Sequence, residues 1–171
     1  MNQRCFFLGQ EKIPASLRPL LVNTIRRHIT EEGVRLFIVG SHGKFNHMAA
    51  VVLSELKNEY PDIENQMALA YHPSIKQVKL PDGFDESFYP EEQELSPLRR
   101  AIPSLNRGMI RLVDYLIAYV EEDSADGAQK IFQYAKSLQK TKQLAIANIA
   151  ELQPEQYKLE SAEGQSSGSK E

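Results

Sequence analysis

Val34-Arg35-Leu36-Phe37-Ile38-Val39-Gly40-Ser41-His42-Gly43-Lys44-Phe45-Asn46 changes character twice along its length. Val34 to Val39 is an almost unbroken apolar run of strand length that ends on Gly40, the pattern of a strand buried on both faces. From Phe45 onward, Phe45, Met48, Ala49, Val52, Leu53, Leu56 and Tyr60 recur at helical spacing until Pro61. Gly40 and Gly43 occupy the joint between the two patterns. A doubly buried strand running straight into an amphipathic helix is the building unit of a parallel sheet, because parallel neighbours need a crossover.

The same unit recurs on either side. Upstream, Cys5 to Leu8 is a short apolar run closed by Gly9, followed by a helical stripe of Leu17, Leu20, Leu21, Thr24, Ile25, His28 and Ile29 with Ser16 as candidate cap. Gly33 ends that helix. Downstream, Gln66 to Ala70 reads as a third strand. A connection to about Pro103 follows, carrying Pro73, Pro81, Asp82-Gly83, Pro90 and Pro97, and is expected to cover one edge of the site. A short helix from Ser104 with Met109, Ile110 and Val113 leads into an apolar strand over Tyr115 to Val120. Ala128, Ile131, Phe132, Ala135 and Leu138 mark the last helix, and Gln143 to Ile149 the last strand. The expected fold class is α/β: three layers, with a mainly parallel sheet of about five strands and helices on both faces. This domain spans 1–151; the polar stretch 152–171, rich in Ser, Glu, Gly and Lys, reads as a disordered tail.

Composition narrows the function classes. A chain of 171 residues, 42% hydrophobic and 25% charged, is sized for one domain with a full core. A net charge of -3 and a pI near 5.9 lack the basic footprint of a nucleic-acid binder. The apolar runs are strand-sized, far short of the roughly 20 residues of a membrane span. Cys5 has no second cysteine to pair with, and the start lacks a charged-then-apolar leader, so a cytoplasmic setting is expected.

In an open α/β sheet, ligands bind beyond the carboxyl ends of the strands, where strand order reverses. Four loops qualify: Gly9 to Pro14, Gly40 to Asn46, Tyr71 to Pro73, and Glu121 to Ala128. In the second, glycine admits close backbone approach, and a helix start offers unpaired N–H groups to a phosphate or carboxylate. A tight structural turn explains the same residues. Replacing Gly43 by valine is therefore expected to block a ligand while leaving the domain folded. The turn is neither a full Gly-x-Gly-x-x-Gly nor a Walker loop, since Lys44 is not followed by Ser or Thr. His42 and His47, five positions apart, do not share a helical face as ligands four apart do, so no metal site is expected. Arg107 has the fork to clamp an anion bidentately, although on the residues alone a solvated helix-start arginine is the favoured reading. The acidic Glu121, Glu122, Asp123 and Asp126 favourably oppose the dipole of the following helix, with Ser124 or Asp126 as its cap.

In order along Cys5 to Ile149, the chain resembles the SLOG superfamily, the Smf/DprA-LOG group, and within it the small YpsA-like proteins. The resemblance is carried by Cys5-Phe6-Phe7-Leu8-Gly9, Phe37 to Asn46, Leu56 to Pro61, Tyr89-Pro90, Asn106-Arg107-Gly108-Met109, Asp114 to Val120, and Gly127-Ala128 ahead of Tyr134-Ala135. It implies a Rossmann-like domain whose pocket holds a nucleotide or nucleotide derivative, a small-molecule partner; no cofactor is assigned beyond that nucleotide-like ligand. The ligand-binding positions it implies are Gly9, Gly40, Ser41, His42, Gly43, Phe45, Asn46, Asn106, Arg107, Gly127 and Ala128. The chain departs from the family at Gln10-Glu11, where members commonly carry His-Arg. It departs again at Asn46, where they often carry Asp, and at Asp126, where they often carry Gly. Asp123 to Ile131 lacks the Pro-Gly-Gly-x-Gly-Thr-x-x-Glu of LOG phosphoribohydrolases, so that activity is not implied.

Three functions fit these residues. The first is a binding or sensing module for an anionic, nucleotide-like ligand; the leaning is away from an enzyme. The second is a hydrolase of such a compound, with Glu11 or one of Glu121 to Asp126 as acid or base. The third is a protein-interaction module whose acidic loop meets a basic partner. Homo-oligomerisation is left open.

Overall fold

The computed structural model describes residues 3–152; apart from Leu152, the expected tail lies outside them. The chain folds as β1 (Arg4–Gly9), α1 (Leu17–Thr30), β2 (Leu36–Gly40), α2 (Lys44–Glu59), β3 (Glu64–Ala68), β4 (Glu86–Phe88), α3 (Ala101–Leu112), β5 (Tyr115–Tyr119), α4 (Ala128–Leu138) and β6 (Ala145–Asn148). The sheet order is β4-β3-β2-β1-β5-β6, and every pairing is parallel. This is a Rossmann-like α/β fold. The chain steps outward from β1 to β4 and then crosses back to start β5 on the other side of β1, so strand order reverses between β1 and β5. Loops leaving the two strands there diverge to opposite faces and leave a crevice.

Alternation along β1 divides the core between two layers. Cys5 and Phe7 pack with Leu21, Ile25, Phe45 and Leu53 of α1 and α2. Phe6 and Leu8 face the other way, onto Leu105, Ile110, Ile131 and Phe132 of α3 and α4. All four β1 side chains are buried, which is why the strand reads as a continuous apolar run and not as an alternating one.

The sheet has six strands where about five were expected. The additional one, β4, lies inside the supposed irregular connection, pairing Gln66, Met67 and Ala68 with Glu86, Ser87 and Phe88. It is an edge strand held by backbone hydrogen bonds with largely exposed side chains, so it leaves no apolar signature. Strand β3 starts two residues earlier than its apolar run, at Glu64. It accommodates Asn65, fully buried, because the Asn65 amide donates to the carbonyls of Leu53 and Gly83. Helix α3 starts at Ala101 and not at Ser104; Pro103 falls in its first turn, where the missing N–H costs no helical bond. Two 3-10 turns, Glu91–Leu95 and Leu98–Arg100, precede it. Gln93, buried between them and the sheet, donates to the carbonyls of Ala70 and Ala101 and ties this segment down. No helix among the described residues is long and apolar enough to cross a membrane.

Candidate functional site

A cleft of about 370 Å³ opens at the carboxyl end of the sheet, at the β1/β5 reversal. Gly9 lines it from the end of β1 and Glu11 from the loop that follows, His42 and Gly43 from the β2–α2 joint, Asn46 from the first turn of α2, and Asn106 from α3. Asp126, Gly127 and Ala128 close it at the start of α4, while Ile102, Pro103 and Ile131 form an apolar wall. This size and mixture of apolar wall with a few convergent polar groups suit a small molecule.

The β2–α2 joint is shaped by its glycines. Gly43 has φ 96° and ψ 155°, a region essentially restricted to glycine, and no side chain caps the start of α2. The opening N–H groups of this helix therefore face the joint with the positive end of its dipole. Asn46 Nδ2 donates to the His42 carbonyl at 2.7 Å, closing the turn, while Asn46 Oδ1 is buried without a hydrogen-bond partner among the described residues. Nδ2 must be the atom toward the carbonyl, since the flipped amide would set two acceptors together. Burial pushes the His42 imidazole below its usual range, and the nearby Lys76 ammonium pushes the same way. Lys76 Nζ lies 3.2 Å from His42 Nε2 and can only donate, so the ring proton of neutral His42 belongs on Nδ1, 3.0 Å from Ser41 Oγ.

The facing wall is organised by a residue that sequence reasoning marked only as a departure from the family pattern. Gln10 is buried, with its backbone N–H donating to the Tyr119 carbonyl. Its side chain donates to the Lys12 carbonyl and to Glu121 Oε1, and accepts from the Glu121 N–H at 2.8 Å. It thereby staples the loops leaving β1 and β5. A glutamine in a polar loop carries no sequence signal for this; only the parallel pairing of β1 and β5 brings positions 10 and 121 together.

Of the positions expected from the sequence, Gly9, His42, Gly43, Asn46, Asn106, Gly127 and Ala128 line the cleft. Phe45 lies beneath it, buried, its ring 6.4 Å from that of Phe7. Gly40 ends β2 behind Asn46, and Ser41 contacts His42 at the rim. Arg107 lies elsewhere. One residue beyond Asn106 on α3, about 100° further round the helix, it lines a separate groove with Arg100, Ser104 and Arg111, its guanidinium 5.9 Å from the Tyr134 ring centre.

No protein-family model matches the chain, and no curated protein matches it. Among solved structures it is similar to the Moco carrier protein from Chlamydomonas reinhardtii. The two share 11% identity at a TM-score of 0.45, over 88% of this chain and 92% of that one. A likeness at this level assigns no ligand to the cleft.

Proposed function

We propose that the chain is a small-molecule binding or sensing module of the SLOG type, holding a nucleotide-like ligand in the cleft at the β1/β5 reversal. The observation that carries this reading is convergence. Gly9, Gly43, Asn46, Asn106 and Gly127 come from four separate segments and line one crevice at the place where open α/β sheets bind ligands. The uncapped start of α2 supplies N–H donors for an anionic group, and Ile102, Pro103 and Ile131 supply an apolar surface for a flat ring. Mass spectrometry of small molecules released from the purified protein, joined to thermal shift and turnover measurements on a nucleotide and nucleoside panel, tests it. Binding without turnover is the expected result. Turnover would favour the hydrolase reading, and the absence of any binding from the panel would remove this one.

A further inference from the structure

The cleft already contains an anion of its own. Asp126 Oδ1 accepts from the Ala128 N–H at 2.9 Å, in the opening turn of α4, and Asp126 Oδ2 accepts from the Glu11 N–H at 2.7 Å, just beyond β1. These two backbone donors belong to the two loops that diverge at the strand-order reversal. One carboxylate thus takes up both the positive end of α4 and a donor from the opposite wall, in hydrogen bonds of the stronger, charge-assisted kind. The two helix starts that face the cleft are therefore unequal: Asp126, one residue ahead of the α4 cap Gly127, holds the Ala128 N–H, while among the described residues no side chain does the same at the start of α2. Across the cleft, Asn46 Oδ1 is a further acceptor, itself buried and without a partner among the described residues. No lysine or arginine is among the described lining residues, and Glu11 adds to the negative side.

We propose that Asp126 is a built-in occupant of the anion seat between β1 and α4, so that this half of the cleft excludes phosphate. It takes instead an uncharged, hydrogen-bond-donating moiety such as a sugar or an amino-bearing heterocycle, and any phosphate on the ligand lies against α2. The ligand class rests on the binding reading above; the occupancy of the two N–H groups by Asp126 does not.

The test is amide NMR on the whole chain, titrated separately with inorganic phosphate, adenosine and adenosine monophosphate. Phosphate is expected to leave the Glu11 and Ala128 amides of the wild type unmoved. In Asp126→Ala it should shift both, with an apparent affinity at those amides raised by about tenfold or more. Should the alanine variant fold poorly, Asp126→Asn keeps an acceptor for the Ala128 N–H without the charge, and should show the same gain to a smaller degree. Wild-type amides of Glu11 and Ala128 that respond to phosphate as strongly as those of Asp126→Ala overturn the proposal, as does a failure of both variants to gain a response. If the phosphate results are as expected but neither adenosine nor its monophosphate binds, Asp126 stands as the occupant and the nucleotide-like ligand falls. If the monophosphate binds with its phosphate at Glu11 and Ala128, the cleft stands and this assignment falls.

Discussion

Replacing Gly9 by alanine tests how closely β1 and α2 approach beneath the cleft. A Cβ built on Gly9 would lie 2.2 Å from Phe45 Cβ, 2.3 Å from Cγ and 2.5 Å from Cδ2, against an ordinary carbon contact of about 3.5–4.0 Å. Backbone conformation is not the obstacle, because Gly9 is not among the positive-φ glycines. Nor can a rotamer change relieve the clash. Phe45 Cβ is fixed to the α2 backbone, and the ring is 2% exposed and packed on Phe7. The end of β1 or the first turn of α2 must therefore move by roughly 1 Å. Overpacking costs about 1–3 kcal/mol and occasionally more, and a clash that only backbone movement resolves belongs near 3 kcal/mol. For a domain of this size that lowers Tm by about 6–12 °C, at roughly 2–4 °C per kcal/mol. Thermal and urea unfolding followed by circular dichroism measure it. Gly127→Ala is the control: its Cβ meets nothing within 4 Å and its φ of -65° suits alanine, so stability should hold or rise by about 0.4–1 kcal/mol. A Gly9→Ala protein melting within about 2 °C of wild type would refute the reasoning and place β1 and α2 further apart than described.

Four further outcomes are expected. Gly43→Val should lower the unliganded Tm in calorimetry, because φ 96° with ψ 155° costs a side chain about 1–3 kcal/mol, a strain added to the blocked ligand approach in a domain that stays folded. Arg107→Ala should keep most of the thermal shift that a cleft ligand produces, about 2.7 kcal/mol at one hundred times Kd, since its guanidinium lines the other groove; loss of that shift would return Arg107 to the site. Burial lowers the His28 pKa while the unfolded chain keeps the ordinary value near 6.5. Its contribution to stability is thus present above that value and lost as pH falls through the folded pKa, a slope that His28→Gln should flatten in urea midpoints between about pH 7 and pH 5. Cys5 is fully buried and its thiol is pushed far above the usual range, so thiol reagents should modify it only at the rate of unfolding; prompt labelling of the native protein would contradict its burial.

The sequence by itself determined the elements whose chemistry is local. Cys5 to Leu8, Leu36 to Val39 and Tyr115 to Val120 are apolar at successive positions because those strands are covered on both faces, and the stripes of α1, α2 and α4 follow the turn of a helix. The turn glycine Gly43 was legible for the same reason: a positive φ is a demand that a single residue meets. Tertiary structure decided the rest. Strand β4 is held by backbone hydrogen bonds that any residues can make, so Glu86-Ser87-Phe88 announces nothing. Asn106 and Arg107 are neighbours in sequence yet line different grooves, because the packing of α3 on the sheet sets which way each one points. Asp126 reads locally as a helix cap; in the fold the capping position is Gly127, and Asp126 bonds the Ala128 N–H from one residue before it. That its second oxygen reaches the N–H of Glu11, 115 positions away, follows only from the crossover that lays β5 beside β1 and brings their two loops across one crevice.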